Sequence, residues 1–148
     1  MLLRTFSKIY GLCGLRVGYA LCGSRDLPDA LIQVRQPFFL NAAAQAAALE
    51  ALAHQDEVAR RVERVAIARV QMQDSLSDLG LTVAASQANF CWLHLGEGRD
   101  EAAIVRGLAE QGVLVRAGSA LGHEGALRVT YGTPAENARF VAVLGTLL

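Results

Sequence analysis

The segment from Arg4 to Tyr19 limits the possible folds of this chain more than any other stretch. A short apolar run leads into Ser7 and Lys8, glycines punctuate the turn that follows, and Arg16 begins a second apolar run. Glycine permits the tight bends that such a turn needs. A lysine, a hydroxyl and a guanidinium are therefore held near each other. This grouping suits a phosphorylated aldehyde, because the amine can form an imine while the hydroxyl and the guanidinium bind the phosphate.

The sequence Arg-Thr-Phe-Ser-Lys-Ile-Tyr-Gly-Leu-Cys-Gly-Leu-Arg-Val-Gly-Tyr at residues 4–19 resembles the lysine segment of the fold-type I pyridoxal-phosphate (PLP) aminotransferases. The closest subgroup is that of the histidinol-phosphate aminotransferases and their aromatic-aminotransferase relatives. That family usually has Ala where this chain has Cys13, which is a change between small residues. The resemblance implies that Lys8 is the Schiff-base lysine and that Ser7 and Arg16 bind the cofactor phosphate.

Each of these residues also has an ordinary interpretation. Taken alone, Lys8 would be a surface lysine, and Arg16 would be half of a salt bridge at a strand edge. The joint match to the Ser, Gly, Arg and Tyr positions of the pattern favours the cofactor interpretation. The chemistry needs a lysine that is neutral often enough to attack, and burial beside a second cation promotes this. Tyr10 and Tyr19 are predicted to pack in the core or to support the residues that contact the ligand.

Three further residues are candidate substrate ligands. Arg128 alternates with Leu127 and Val129 in an apolar strand, so it points to the opposite face, and a charge there needs a partner. The resemblance implies that Arg128 anchors an acidic group of the substrate, that Arg116 helps to hold the substrate phosphate, and that Asn89 lies near the substrate pocket. The alternatives are a structural ion pair for Arg128, a free arginine at the end of a strand, and an asparagine that begins a strand.

The hydrophobic pattern predicts alternating helices and strands along the chain. The predicted elements are strands at residues 1–6 and 15–22, helices at 25–34, 42–53 and 56–79, strands at 81–84 and 88–95, a helix at 100–111, strands at 113–116 and 127–131, and a helix at 134–147. The apolar strand at 15–22 is expected to be buried in a parallel or mixed sheet. From residue 56 onward the order predicts a two-layer α/β sandwich, with a mostly antiparallel sheet and helices on one face.

Several helix ends carry capping signals. Ser24 and Asn41 each precede a predicted helix and are expected to be N-caps. Gly80 is a suitable residue to end the longest helix. Thr133 and Glu136, with a proline between them at the first helical position, form the pattern of a capping box.

The domain organisation follows from the resemblance. The apolar linker at residues 36–41 corresponds to the crossover between the two aminotransferase domains. Residues 1–36 would then be a remnant of the large PLP-binding domain, and residues 37–148 would form the C-terminal small domain. Most of the large domain would lie upstream. Residues 1–25 are accordingly expected to be disordered or paired with another chain, since uncovered apolar strands are association sites.

Composition excludes several classes of partner. Lys plus Arg and Asp plus Glu both number 14, so the net charge is zero, and neither nucleic acid nor an anionic membrane is predicted as a partner. Arg60 and Arg61 alternate with Glu57 on what is predicted to be a solvated helix face.

The three cysteines form no CxxC pair and predict a cytoplasmic protein. The three histidines are scattered, so no metal site is predicted. The mean hydropathy of +0.29 indicates that apolar surface faces another subunit or domain.

These observations predict a function for the protein that contains this chain. The resemblance implies PLP-dependent transamination between histidinol phosphate and a 2-oxo acid such as 2-oxoglutarate, in a homodimer. An aromatic amino-acid aminotransferase is the first alternative, because residues 86–93 resemble that subgroup at least as well. The second alternative is a truncated, inactive module. In the family, the Asp, Asn and Tyr that contact the cofactor ring lie upstream of the lysine.

Overall fold

The computed structural model describes residues 1–148. The chain divides into two compact units, which we call the N-terminal unit, Met1–Val62, and the C-terminal unit, Glu63–Leu148. The domain boundary predicted after residue 36 concerns the domains of a longer protein and stays a prediction.

The N-terminal unit contains a two-stranded ribbon and helices. Its elements are β1 Leu2–Thr5, a 3₁₀ turn at Cys13–Leu15, β2 Gly18–Leu21, α1 Asp26–Val34, α2 Ala42–Ala53 and the beginning of α3 Gln55–Asp78. The strands β1 and β2 are antiparallel, with Leu2 opposite Leu21 and Arg4 opposite Tyr19. The prediction of a buried strand in a parallel or mixed sheet is wrong for this chain. Both strands are exposed along their whole length, since the ribbon has no third strand to pair with.

The core of the N-terminal unit is small. It consists of Phe6, Val17, Ala44 and Ala48, and the ring of Phe6 lies 4.8 Å from that of Tyr10 and 5.7 Å from that of Tyr19. The two tyrosines therefore contribute to packing, as predicted.

The helix caps of the N-terminal unit fit the predictions in one case of two. Asn41 is the N-cap of α2, and its Oδ1 accepts a hydrogen bond of 2.8 Å from the amide of Ala44. Ser24 is not an N-cap, because α1 begins at Asp26 and its cap position, Arg25, makes no side-chain bond. Instead, acidic residues in the first turn of α1 stabilise the helix through their interaction with the positive end of its dipole.

The C-terminal unit is the predicted two-layer α/β sandwich. Its elements are the end of α3, β3 Thr82–Val83, β4 Phe90–His94, α4 Glu101–Glu110, β5 Arg116–Ala117, a 3₁₀ turn at Ser119–Leu121, β6 Ala126–Thr130 and α5 Pro134–Gly145. The strand order is β3-β4-β6-β5, and every pair is antiparallel. The predicted strand at 113–116 is reduced to Arg116–Ala117. None of the helices in the chain has the length and apolar character needed to cross a membrane.

One face of this sheet packs against helices. Leu93 on β4 and Leu127 on β6 are opposite each other and fully buried. They share a core with Met72 of α3, Leu108 of α4 and Leu144 of α5. The capping box that begins α5 is present as predicted. The residues that alternate with the core positions therefore lie on the other face, and Arg128 is among them.

Candidate functional site

The first group of candidate residues lies around the turn after β1. Arg16 Nη1 donates a hydrogen bond of 3.3 Å to Ser7 Oγ and one of 2.8 Å to the carbonyl oxygen of Cys13. Arg16 has the left-handed backbone conformation, with φ of 52°, which is uncommon outside glycine and concentrates at functional positions. The structure thus brings Ser7 and Arg16 together, as the sequence predicted, and leaves Nε and Nη2 of Arg16 available to an anion.

A cavity of 420 Å³ opens beside this pair. It is bounded by residues of β1 and β2 together with Ser7 and Arg16. Gly18 belongs to its wall, and a Cβ at that position would lie only 2.6 Å from the carbonyl oxygen of Arg4. Glycine is therefore the residue that lets the two strands approach here. The donors on this wall have the chemistry that a phosphate requires.

Lys8 occupies the turn next to Ser7. The residue is exposed, so the burial beside a second cation that was expected for this lysine from the sequence is not provided by this chain. None of the four salt bridges in the structure contains Lys8. Its carbonyl oxygen accepts a 2.8 Å hydrogen bond from the amide of Gly11, which closes a tight turn.

A second contact holds this turn from α3. Arg61 Nη1 donates a 2.8 Å hydrogen bond to the carbonyl oxygen of Ile9, and Arg61 Nε donates one of 2.9 Å to Glu57. The hydrogen bonds from Arg61 and then from Arg60 lower the pKa of Glu57. Sequence reasoning placed these residues on a solvated helix face and missed the contact. The partner is 52 residues away, so no local pattern could indicate it.

The second group of candidate residues lies on the open face of the C-terminal sheet. Arg128 on β6 is directly opposite Trp92 on β4 and Arg116 on β5. Like charges on opposite positions of a ladder repel each other, and neither arginine belongs to a salt bridge of the structure. The structural ion pair considered for Arg128 is therefore absent, and the two guanidinium groups form a row that an anion would stabilise.

The guanidinium of Arg128 is oriented by its surroundings. Its Cζ lies 4.2 Å from the centre of the Phe90 ring, in a cation–π contact. Its Nε is buried and has no hydrogen-bond partner, although buried donors are nearly always paired in folded proteins. An anion at this position would supply the missing acceptor.

Arg116 and Arg128 also line a cavity of 390 Å³ in the C-terminal unit. Arg139 and Glu136 contribute to its wall. The Glu136 carboxylate is occupied by the capping box, where Thr133 donates hydrogen bonds of 2.7 and 2.8 Å to it, and these bonds lower its pKa. The lining therefore has an excess of positive charge, which favours an anionic ligand.

The remaining candidate, Asn89, precedes β4. Its side chain is exposed, and its carbonyl oxygen accepts a 3.1 Å hydrogen bond from the amide of Tyr131. Tyr131 lines the same cavity as the two arginines, and its buried hydroxyl has no partner. Burial raises the pKa of this phenol, so it stays protonated and able to donate.

Comparison with known proteins identifies the family. The model described as "Aminotransferase class I and II" matches residues 1–144. Histidinol-phosphate aminotransferase 1 of Mesorhizobium japonicum is 40% identical over 148 residues, which are 100% of this chain and 40% of that protein. An aromatic amino acid aminotransferase of Rhodococcus erythropolis is 43% identical over 146 residues, which are 99% and 39%. The chain thus spans about two fifths of the length of the curated relatives it matches.

Solved structures agree with this result. The histidinol-phosphate aminotransferase of Sinorhizobium meliloti, determined in complex with pyridoxal-5′-phosphate, has a TM-score of 0.84 and 30% identity, covering 98% of this chain and 40% of that one. The histidinol-phosphate aminotransferase of Clostridium acetobutylicum has a TM-score of 0.89 at 19% identity, covering 97% and 44%, and so supports the fold alone. With the family match and this cofactor-bound structure, PLP is the cofactor that the family indicates. The chain belongs to the class I and II aminotransferase family and has the α/β fold of fold-type I aminotransferases.

Proposed function

We propose that the protein containing this chain is a PLP-dependent aminotransferase that transfers an amino group between histidinol phosphate and a 2-oxo acid such as 2-oxoglutarate. The observation that carries the proposal is the contact of Arg16 with Ser7 beside Lys8. It occurs in a chain whose relatives include enzymes named for histidinol phosphate. A cytoplasmic homodimer is part of the same proposal.

The residues present fit PLP as a cofactor. Ser7 Oγ and the free nitrogens of Arg16 would hold its phosphate, and the Lys8 amine would hold its aldehyde carbon. When bound, the cofactor supplies an electron-withdrawing ring that makes the α-hydrogen of an attached amine acidic. Lys8, once its amine is released by the incoming substrate, would act as the general base that removes the proton from the substrate carbon bearing nitrogen, and as the acid that gives that proton back.

The row of Arg116 and Arg128 suits the anionic part of the substrate. Guanidinium groups bind phosphate and carboxylate through paired, charge-assisted hydrogen bonds. Arg128 offers a buried Nε without a partner, while Arg116 is exposed and can adapt. Histidinol phosphate presents a phosphate and the 2-oxo acid a carboxylate, so one pair of arginines can serve both half-reactions. Asn89 would contribute a neutral hydrogen bond nearby.

The cofactor role of Lys8 can be tested directly, because Lys8 is the only lysine in the chain. The chain is incubated with PLP and reduced with borohydride, and the modified residue is mapped by mass spectrometry. We expect the label on Lys8, in preference to the α-amine of Met1. The Arg16→Gln variant should be labelled less, whereas Arg25→Gln, an exposed arginine, should match the wild type. Label confined to the α-amine, or equal labelling of both variants, would contradict the cofactor assignment.

An aromatic amino-acid aminotransferase is the second candidate. It is favoured by the 43% identity to the Rhodococcus erythropolis enzyme and by the aromatic residues Phe90 and Trp92 on the open face with Arg128. Rates with histidinol phosphate and with phenylalanine, measured on the whole protein that contains this chain, separate the two. Substitution of Arg116 should reduce the first rate more than the second, since phenylalanine has no phosphate.

A third possibility is that the 148-residue chain alone turns nothing over. We propose that it is inactive in isolation, because the resemblance implies that the residues that contact the cofactor ring lie upstream of Lys8. An amino-transfer assay of the isolated chain with PLP, glutamate and a 2-oxo acid tests this. Sustained turnover above the rate of PLP alone would contradict it.

A further inference from the structure

Glu101 is a buried carboxylate that has no place among the residues considered above. It is the first residue of α4, and its exposed fraction is only 7%. Its Oε1 accepts hydrogen bonds of 3.1 Å from the amide of Ser119 and 2.6 Å from the Ser119 hydroxyl. Its Oε2 accepts bonds of 2.6 Å from the amide of Gly125 and 3.2 Å from that of Ala126. Both carboxylate oxygens of Glu101 thus accept their hydrogen bonds from the loop that joins β5 to β6, up to and including the first residue of β6.

The charge of Glu101 is maintained without a cation. No salt bridge of the structure contains it. Burial by itself would raise the pKa of this carboxyl, but the hydrogen bonds from Ser119, Gly125 and Ala126 together outweigh that effect and lower it. Charge-assisted hydrogen bonds of this kind are stronger than neutral ones, so the carboxylate is a firm anchor.

The anchored loop joins the two strands that carry the arginine row. It leaves β5 two residues after Arg116 and enters β6 two residues before Arg128. The hydrogen bonds of Glu101 are made at both ends of this loop, to Ser119 and to Ala126. The amide of Gly118 also donates a 2.7 Å bond to Ala126. A shift of the loop would therefore move both arginines.

The loop has little room to adopt another arrangement. A Cβ at Gly118 would overlap the carbonyl oxygen of His123 and lie 2.6 Å from that of Ala126. On the open face, the ring of His123 makes an edge contact with Trp92, at 5.7 Å between centres. Trp92 is opposite Arg128 and is the only tryptophan of the chain. Its fluorescence therefore reports the position of the loop.

We propose that Glu101 is a positioning residue, which fixes the loop between β5 and β6 so that the guanidinium groups of Arg116 and Arg128 lie at the spacing that binds an anion. This inference rests on the proposed function, which makes those arginines the ligands of the substrate's anionic group. Glu101 itself does not touch the anion. Its effect on binding passes through the loop.

The test measures binding of inorganic phosphate to the full 148-residue chain. Phosphate replaces chloride at constant ionic strength, and binding is followed by Trp92 fluorescence and by the NMR signals of the arginine Nε–H groups. We expect Glu101→Gln to weaken binding about tenfold, which is within the range of couplings transmitted through a shared hydrogen-bond network or a backbone shift. The matched control is Glu110→Gln, which removes the same charge from an exposed position on the same helix and should change affinity less than about twofold.

Further variants separate this inference from the proposed function. If the wild type does not bind phosphate, or if Arg128→Gln leaves binding unchanged, the proposed anion site is wrong. If Arg128→Gln abolishes binding while Glu101→Gln remains folded and binds like the wild type, only the positioning role is overturned. A positioning role also predicts that Glu101→Gln has no further effect in the Arg128→Gln background.

A purely structural role for Glu101 gives a different result. It would lower the melting temperature but leave phosphate affinity unchanged at temperatures where the variant is folded. If Glu101→Gln does not fold, Ser119→Ala carries the test, since it removes one of the four hydrogen bonds. We expect a folded protein with about twofold to threefold weaker phosphate binding. Unchanged binding by Ser119→Ala would then overturn the proposal.

Discussion

The two units of the chain differ in how far their apolar residues are buried. The C-terminal unit buries fourteen residues in one core, whereas the N-terminal unit buries only four. Most of the large apolar side chains exposed in the molecule belong to the N-terminal unit, among them Leu3, Leu21, Val34 and Phe38. Exposed apolar surface of this extent marks a contact with another surface. The C-terminal unit covers its apolar residues with its own helices and sheet, whereas the N-terminal unit is expected to need a covering partner.

The candidate ligands differ in the same way. Ser7, Lys8 and Arg16 lie on an exposed turn that rests on a small core. Arg128 lies on a strand backed by the large core, and its guanidinium is held against Phe90. The row formed by Arg116 and Arg128 should therefore be preorganised in this chain alone. The turn that carries Ser7, Lys8 and Arg16, which we call the cofactor turn, should instead become better ordered when another surface covers it.

The largest effect should come from the large core. Leu127→Ala removes a fully buried side chain and should destabilise the C-terminal unit by about 3 kcal/mol, through lost burial and a cavity. The matched change in the N-terminal unit, Leu21→Ala, affects a strand residue that is 57% exposed and should cost less than about 0.5 kcal/mol. Denaturant unfolding followed by Trp92 fluorescence and by circular dichroism measures both. Equal losses in the free energy of unfolding for the two variants would contradict the difference in burial between the units.

The next effect concerns the buried carboxylate of the C-terminal unit. Glu101→Gln should cost about 2 kcal/mol at neutral pH, because backbone donors lose a charged acceptor. The pKa of Glu101 is lower in the folded state than the ordinary value of 4.5, so the unfolded state binds the proton more readily. Its contribution is therefore complete above that value and is lost as the pH falls through the folded pKa.

Stability measured against pH checks this sign. Between pH 7 and pH 3 the wild type should lose more stability than Glu101→Gln, so the two curves should converge on the acid side. Glu110→Gln serves as the control and should follow the wild type. Parallel curves for the wild type and Glu101→Gln would show that the hydrogen-bonded carboxylate does not stabilise the fold.

Local signals in the sequence predicted much of this structure. The caps at Asn41 and Thr133 depend on groups three residues away, and both were predicted correctly. The alternation around Arg128 placed it on the open face of β6 because strand periodicity is also local. The same logic failed for β2, whose burial depends on what lies beside it rather than on its own residues.

The contacts that position the site are not local. Glu101 reaches residues 18 to 25 positions away, and Arg61 reaches Ile9 across 52. An acidic residue in the first turn of a helix is ordinarily explained by the helix dipole, and an arginine near a glutamate by a surface ion pair. Nothing in the composition of those segments distinguishes the buried anchor or the turn contact from these common roles.

The smallest effect concerns the contact that holds the cofactor turn. Arg61→Gln removes the hydrogen bond to the carbonyl oxygen of Ile9 and should destabilise the turn by about 1 kcal/mol, which corresponds to about fivefold faster hydrogen exchange at the amide of Gly11. Arg60→Gln is the matched control, because Arg60 also binds Glu57 but makes no bond to the turn. Its exposed ion pairs should contribute less than about 0.5 kcal/mol.

This comparison also tests whether the turn is ordered from α3 or from elsewhere. If Arg61 holds the turn, its substitution should accelerate exchange at Gly11 and lower the labelling of Lys8 by PLP, while Arg60→Gln changes neither. Equal exchange rates in the two variants would mean that the small core around Phe6 is sufficient to fix the turn. The N-terminal unit would then order this turn with fewer supporting contacts than its four-residue core suggests.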